Sequence, residues 1–355
     1  MPTPDSPPES LKRPSPADVW TAVFAAALAL PLVVLLATGP SHLDDNSPPA
    51  RWPTLADPWH AIPRRVDVAF ERTFGLRPML VAAYHRLFVL GLGAPALLPG
   101  AGAGAPRRQV LPGAQAELFY VLDGTEPHRA ARPWPSELRD AWRTELVARS
   151  SWFAKRGVRY LVVIAPDKQS LYDEALPGWA RRVGAPWLDA LVDDLEKSGV
   201  EVVDVRRALA AGRSTARVYL RTDSHWTGFG ACLAATEVLA RLQRPQPSCA
   251  PVTTSRRAGG DLAALLGLRS TLTDDAVEPV TAATPAQDGR AVLAGDSFAD
   301  ALALPLHAGF AVLGRVDTDG LDAAAALRER PDVVVDELVE RKLGAAPLPA
   351  SVPGG

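Results

Sequence analysis

The sequence predicts an α/β fold: a three-layer domain built on a central, mostly parallel sheet and preceded by an N-terminal transmembrane helix. Three observations predict it. An apolar run of about twenty residues near the N-terminus carries no charge. From residue 160 onward, apolar strand-like runs alternate with helix-like ones, the pattern of a parallel sheet covered on both faces. The residues best suited to chemistry fall just past the ends of those strands, where open α/β sheets bind their ligands.

A chain of 355 residues is long enough to bury the core of one large α/β domain. Its net charge of −2 gives no basic field of the kind nucleic-acid binders carry, so no nucleic-acid partner is expected. The two cysteines, Cys232 and Cys249, lack metal-ligand spacing and are too few for a disulfide framework; whether they pair with each other stays open. No metal site and no Gly-rich phosphate loop is found, and no nucleotide cofactor is expected.

Taken in order, residues 1–18 are rich in Pro, Ser and charge, with Lys12 and Arg13 as a basic pair, and read as a disordered cytoplasmic tail. Residues 19–38 have the length and apolarity of a membrane-spanning helix, in which Pro31 is tolerable. Basic residues before the span and Asp44 and Asp45 after it predict a cytoplasmic N-terminus and an extracytoplasmic remainder, which for a bacterial envelope means the periplasm. A cleaved signal peptide is the alternative; the length of the run and the lack of an Ala-x-Ala site favour an uncleaved anchor.

Residues 39–65 are Pro-rich and read as an extended tether. Apolar spacing over 66–90 predicts two short helices on either side of a Gly75/Pro78 break, and 91–113 is a Gly/Ala/Pro-rich loop. Residues 116–124 read as a strand and 134–156 as a helix. Then come strands at 160–165, 200–205, 218–220, 291–294, 311–315 and 332–335, with helices at 187–198, 228–242 and 337–343. The α/β domain is expected over 66–345 and a disordered tail over 346–355.

The stretch Arg221-Thr222-Asp223-Ser224-His225-Trp226-Thr227 brings a carboxylate, an imidazole and an indole within four consecutive positions. The other five of the six histidines, His42, His60, His85, His128 and His307, have no such neighbourhood. A nucleophile is needed to complete a triad. Ser297 stands where the apolar run 291–294 breaks at Gly295-Asp296-Ser297 and a helix-like run resumes, a turn that presents a hydroxyl beside backbone N–H groups. Ser297 would attack, His225 would take its proton, and Asp223 would fix the imidazole tautomer and balance the imidazolium. The bland alternative makes Ser297 a helix N-cap; only its meeting with His225 separates the two.

The same landmarks resemble the alginate O-acetyltransferase group of AlgX/AlgJ-type proteins, whose catalytic domain is SGNH hydrolase-like. They are Glu71-Arg72-Thr73-Phe74-Gly75-Leu76-Arg77, Leu118-Phe119-Tyr120, and Ile164-Ala165-Pro166-Asp167-Lys168 with Leu171-Tyr172 and Leu176-Pro177. Next are Asp223-Ser224-His225-Trp226, Gly260-Asp261-Leu262, Gly295-Asp296-Ser297-Phe298, and Asp332-Val333-Val334-Val335 with Glu340-Arg341. As in that group, the Asp-x-His-Trp element precedes the serine. Ser224 stands where the group often has Thr, and the segment Pro112-Gly113-Ala114-Gln115-Ala116-Glu117 departs from its usual opening.

The resemblance implies an acetyl-enzyme on Ser297 that passes acetyl to a hydroxyl of an exopolysaccharide or cell-envelope polysaccharide, with a membrane-bound acyltransferase as the partner that supplies the acetyl group. Lys168, Tyr172, Trp226 and Arg221 are candidates to bind the polysaccharide, although Trp226 equally suits the core, Lys168 a solvated loop, and Arg221 a pairing with Asp223. Arg269 and Arg315 are positional candidates for a second oxyanion donor. A polysaccharide acetyl esterase shares the acyl-enzyme and differs in using water as acceptor. A catalytically silent polysaccharide-binding or assembly scaffold is the alternative from a different class.

Overall fold

The computed structural model describes residues 15–39, 51–87, 109–121, 125–279, 286–317 and 321–350. Most of the expected cytoplasmic tail, the tether over 40–50, the loop over 91–108 and residues 351–355 lie outside the described residues. The chain divides into two compact units, Met1–Tyr84 and His85–Gly355.

In the first unit the helix Pro16–Thr38 starts at a capping box: Ser15 Oγ accepts from the Asp18 amide at 3.2 Å, and the Asp18 carboxylate accepts from the Ser15 amide at 2.9 Å. That places the last charge of the run in the first turn. Pro16–Ala37 is long and apolar enough to cross a bilayer, and Pro31 does not end the helix. Helices Ile62–Thr73 and Arg77–His85 meet at the expected break, with Pro78 in a first turn that needs no amide from it. Helix thus begins inside the stretch expected as a tether, and these helices fall largely in the first unit rather than at the start of the α/β domain.

The second unit carries the strands β1 (Val110–Pro112), β2 (Leu118–Tyr120), β3 (Arg159–Ala165), β4 (Glu201–Asp204), β5 (Pro251–Ala258), β6 (Thr273–Pro279), β7 (Arg290–Gly295), β8 (Val312–Asp317) and β9 (Val333–Val339). Five of them form one sheet in the order β4-β3-β9-β7-β8, every neighbouring pair parallel. The period-two alternation of a buried strand sorts its side chains between two cores. Leu161, Val163, Ala165, Leu293 and Val335 pack under the helices Gly228–Arg241 and Ser297–Leu306. Tyr160, Val162, Ile164, Val292 and Val334 pack under Ser136–Ala154, Trp187–Lys197 and Ala323–Arg328. Three layers result, as expected.

Several sequence expectations change. Residues 218–220 join no sheet; Tyr219 makes an isolated antiparallel bridge to Trp226. Residues 337–343 are not a helix, because β9 stays paired with β3 as far as Ala165↔Val339, and a 3-10 turn, Glu340–Gly344, follows. Two carboxylates in the middle of that strand disguise it: Asp336 is paired with Arg149 at 2.9 Å, and Glu337 accepts from the Asp296 amide at 3.3 Å. The expected tail is held in part, since Leu348 O accepts from Arg149 at 2.7 Å and the Ala350 amide donates to Glu145 at 2.7 Å. An antiparallel hairpin of β5 and β6 was not anticipated; its residues are too polar to read as strands.

Cys232 and Cys249 form a disulfide that ties the helix Gly228–Arg241 to the segment entering β5. The bond closes a short loop, 17 residues in sequence separation. Reducing it is expected to cost about 3 kcal/mol of stability by the chain-entropy relation for a loop of this size. Urea midpoints with and without reductant measure this; midpoints that coincide would leave the crosslink without a stabilising role.

Candidate active site

The Asp223–His225 loop is strapped at its base by two backbone bonds beside the Tyr219–Trp226 bridge: the Leu220 amide to His225 O at 3.1 Å and the Thr227 amide to Val218 O at 2.9 Å. Its crown is held by the buried Asp274 of β6, which accepts from the Arg221 amide at 2.6 Å, from the Thr222 amide at 2.9 Å, and from the Thr222 hydroxyl. A loop with this many fixed amides holds its side chains in one place. Gly260 is required beside it, because a Cβ there would come within 2.2 Å of Asp223 Oδ2.

Ser297 opens the helix Ser297–Leu306 at the carboxyl end of β7. Asp296, not Ser297, is the N-cap, its side chain accepting from the Phe298 amide at 3.0 Å. The serine hydroxyl is therefore left for other work. Arg315 donates to the carbonyls of Gly295 at 3.0 Å and Asp296 at 2.7 Å. Because C=O and N–H of a trans peptide point in opposite directions, the grip on Asp296 O also fixes the direction of the Ser297 N–H. A Cβ at Gly295 would lie 2.6 Å from Glu337 Oε2, so the turn packs directly on that buried carboxyl.

Across 72 residues of sequence, His225 Nε2 lies 2.7 Å from Ser297 Oγ. On the other side of the ring, Nδ1 lies 2.6 Å from Asp223 Oδ1. Exposure falls along this line, from an exposed Ser297 to 27% for the His225 side chain and 16% for Asp223. Burial opposes the charge on Asp223, but its bonds to His225 and the Asp261 amide prevail and hold it well below the usual carboxylate range. Burial likewise opposes the imidazolium, yet the bond to Asp223 and the charge of Asp261 behind it raise His225. The result is an ionised carboxylate, a histidine biased toward accepting a proton, and a serine hydroxyl within reach of it.

The histidine and nucleophile segments are also coupled directly. Trp226 Nε1 donates to Phe298 O at 3.1 Å, and the Phe298 ring lies 4.8 Å from the His225 ring. Trp226 is thus buried, as the core alternative considered for it requires. Lys168 is also buried, its ammonium bonded to Leu118 O at 2.9 Å, Arg221 O at 2.6 Å and Glu117 at 2.9 Å. Burial pulls it down to about 8 against the attraction of Glu117. It fastens β2 to the histidine loop rather than lining a cleft.

Tyr172 is buried too, its hydroxyl accepting from the Val218 amide at 3.3 Å and its ring covered by the Arg213 guanidinium at 4.1 Å. Arg221 keeps a partly exposed side chain, and the carboxylate it approaches is Glu117, at 4.0 Å, rather than Asp223. Of the two arginines considered for the oxyanion, Arg315 braces the turn, while Arg269 lies in the turn before β6, its carbonyl accepting from the Gly259 amide at 2.9 Å.

Sequence reasoning gave no role to Asp261, Asp274, Asp296 or Glu337, which surround the line Asp223–His225–Ser297. The signal available was the Gly259-Gly260-Asp261 turn, the kind of place where backbone approaches another segment closely. Asp223, His225 and Asp261 are the one group of metal-type donors found among the described residues. Those donors are engaged with one another and with serines: Nδ1 with Asp223, Nε2 with Ser297, and Asp261 Oδ2 with the Ser224 hydroxyl at 2.5 Å. No metal centre is assigned to them.

The family described as the SGNH hydrolase-like domain of acetyltransferase AlgX matches residues 126–305. Two curated relatives, both probable alginate O-acetylases AlgJ, are similar over shorter stretches. That of Pseudomonas syringae pv. tomato is 30% identical over 94 residues, 26% of this chain and 24% of its own length. That of Pseudomonas aeruginosa is 28% identical over 118 residues, 32% of this chain and 29% of its own. The chain therefore spans under a third of the length of either relative. Among solved structures, the O-acetyltransferase domain of Pseudomonas putida AlgJ is similar at 20% identity with a TM-score of 0.49, covering 66% of this chain and 92% of that one. AlgX of Pseudomonas aeruginosa is similar at 16% identity with a TM-score of 0.47, covering 66% of each chain.

Proposed function

We propose, because the chain belongs to the family of the SGNH hydrolase-like domain of acetyltransferase AlgX, that it is an O-acetyltransferase working through an acetyl-enzyme on Ser297. The observation that carries this reading is the unbroken line Asp223–His225–Ser297, with contacts of 2.6 and 2.7 Å, ending at an exposed hydroxyl on a helix N-terminus.

In the first half-reaction Ser297 Oγ attacks the carbonyl carbon of an acetyl ester as its proton passes to His225 Nε2. The Ser297 N–H and the positive end of the helix Ser297–Leu306 face the negative charge that develops on the carbonyl oxygen. Collapse of the tetrahedral intermediate returns the proton to the leaving alcohol and leaves acetyl on the serine. A sugar hydroxyl then gives its proton to His225, attacks the acetyl carbon and departs as the O-acetyl sugar, with the proton restored to Ser297. Asp223 holds the Nδ1–H tautomer throughout and faces the imidazolium in both halves.

The acceptor is a polysaccharide of the cell envelope or an exopolysaccharide, a reading supported by the similarity to probable alginate O-acetylases, and the acetyl group comes from a membrane-bound acyltransferase partner. The helix Pro16–Thr38 anchors the chain in the membrane, and the Lys12/Arg13 pair before it keeps the N-terminus cytoplasmic. The catalytic unit is then extracytoplasmic, a placement the Cys232–Cys249 disulfide supports, since such bonds persist in oxidising compartments. The exposure of Ser297 favours one second reading: water also reaches the acetyl-enzyme, so acetyl ester hydrolysis accompanies or replaces transfer.

Intact mass after incubation of the full chain in detergent with an activated acetyl ester is the test. The wild type is expected to gain one acetyl group and Ser297→Ala none, with ester turnover in the variant reduced by at least about 10³-fold. A wild type that neither acquires acetyl nor turns over the ester would sink the reading. Adding soluble polysaccharides to the acetylated enzyme then separates transfer from hydrolysis by where the acetyl group goes.

A further inference from the structure

We propose that Asp261 is the second carboxylate of the catalytic histidine: a positioning residue that holds the Asp223-Ser224-His225 stretch in register and shares the charge of the imidazolium. The inference rests on the acetyl-enzyme reading above, and it assigns a role that the triad alone does not contain.

Asp261 reaches the site from a different part of the chain, at the start of the short helix Asp261–Leu265 in the connection between β5 and β6. This connection is fastened to the histidine loop at several points: the Gly260 amide to Thr222 Oγ1 at 2.9 Å, the Ala263 amide to Thr222 O at 3.1 Å, and Asp274 to the amides of Arg221 and Thr222. Asp261 contributes through both backbone and side chain. Its amide donates to Asp223 Oδ2 at 3.1 Å, occupying the oxygen of Asp223 that does not bond the imidazole.

The Asp261 carboxylate accepts from the Ser224 amide at 2.8 Å through Oδ1 and from the Ser224 hydroxyl at 2.5 Å through Oδ2. Ser224 is the residue between the two catalytic ones, so gripping it from both ends fixes the spacing of Asp223 and His225. The same Oδ2 lies 3.6 Å from His225 Nδ1, and Ser224 Oγ is 3.4 Å from that nitrogen. Asp261 is also 40% exposed on its side chain, which weakens its field relative to that of Asp223.

Two carboxylates this close repel each other, and the charge arrangement becomes favourable only when a cation stands between them. Burial and the neighbouring Asp223 accordingly raise Asp261, while His225 is the one group of the triad that becomes positive. The charged groups facing the imidazole are Asp223 on its own loop, Asp261 on the β5–β6 connection, and Arg341 beyond β9, the last opposing the other two. As Ser297 attacks and its proton arrives at Nε2, the new positive charge sits against both carboxylates. Ser224 itself is uncharged, and the identity of its side chain matters as a hydroxyl that can donate to Asp261.

The test is the protonation of His225 read directly, in the full chain in detergent, by NMR of ring-labelled histidine. The resonance is identified by its loss in His225→Gln. Asp261→Asn keeps an acceptor oxygen for the Ser224 and Leu262 amides while removing the charge. The His225 midpoint is expected to fall by about one pH unit in Asp261→Asn, at the low end for a charge at this distance because of its exposure. Since the neutral imidazole is the base, the acid limb of kcat/KM for an activated acetyl ester is expected to move down by the same amount. At high pH, kcat falls about tenfold with KM little changed, and Asp261→Glu restores the midpoint toward its wild-type value.

An Asp261→Asn variant whose His225 midpoint and acid limb stay at their wild-type positions overturns the proposal, and a loss of melting temperature alone would make Asp261 structural. Because the NMR midpoint needs no turnover, it also separates two failures. A midpoint that falls in Asp261→Asn while the wild type never forms the acetyl-enzyme upholds the Asp261–His225 pairing and overturns the catalytic reading; a wild type that acetylates with a midpoint unmoved in Asp261→Asn does the reverse.

Discussion

Asp223→Asn is expected to lower kcat/KM for an activated acetyl ester by about 10⁴-fold, the scale on which an amide in the orienting position disables a Ser-His-Asp triad. Asp223 Oδ1 accepts both from the His225 ring at Nδ1, 2.6 Å away, and from the His225 amide at 2.9 Å. An amide NH₂ turned toward Nδ1 needs that nitrogen unprotonated, which moves the ring proton to Nε2. Nε2 then cannot accept the proton of Ser297, although the side chain occupies the same space. KM is expected to change little, because Asp223 acts through His225 on the transition state. Steady-state rates on the variant check this. A loss of less than about tenfold would show that another group, with Asp261 the nearest, orients the imidazole unaided.

Asp336→Ala is expected to cost about 3–5 kcal/mol of stability with no direct effect on the chemistry. Asp336 lies in the middle of β9 on the sheet face away from the nucleophile helix, fully buried, where it accepts from Arg149 at 2.9 Å and from the Tyr160 hydroxyl. Arg149 is buried as well, its remaining donors on Glu145 at 2.8 Å and Leu348 O at 2.7 Å. Removing the carboxylate leaves a buried guanidinium with only part of its compensation, and the Tyr160 hydroxyl loses its acceptor. Urea unfolding followed by fluorescence measures the loss, and the folded variant should still acquire acetyl. Replacing both partners together, Arg149→Met with Asp336→Leu, is expected to recover most of the stability. A single variant within about 1 kcal/mol of wild type would mean that water solvates Arg149.

The hydrogen-bonded line Asp223–His225–Ser297 was legible in the sequence because each half is local: Asp223 and His225 are two residues apart, and Ser297 comes just after an apolar strand that breaks at glycine. The parallel sheet was legible for the same reason, since strands buried on both faces are nearly continuous runs of Val, Ile, Leu and Ala. What surrounds the triad was not legible. Asp261 and Asp274 come from a hairpin whose strands, rich in Thr, Arg and Asp, have no apolar alternation to announce them. Glu337 and Asp336 turned the end of β9 into an apparent surface helix, because a charge inside a buried strand is only understood once its partner is known. Lys168 follows a strand end and so looked like a cleft residue; its side chain turns inward, to carbonyls that no sequence pattern reveals.

The order of strands in the sheet also bears on how the molecule can be made. β9, the C-terminal strand of this sheet in chain order, takes the central position between β3 and β7. Before it arrives, the chain can assemble β3 with β4 and β7 with β8, but each pair keeps an unpaired inner edge, and the two pairs lack the strand that joins them. Open edges of this kind recruit other chains. A premature stop or a protease cut ahead of Val333 therefore yields two adhesive ribbons in place of a shortened enzyme, whereas residues added after the 3-10 turn Glu340–Gly344 leave the strand free to insert. Arrival of β9 is the event that joins the two halves of the sheet.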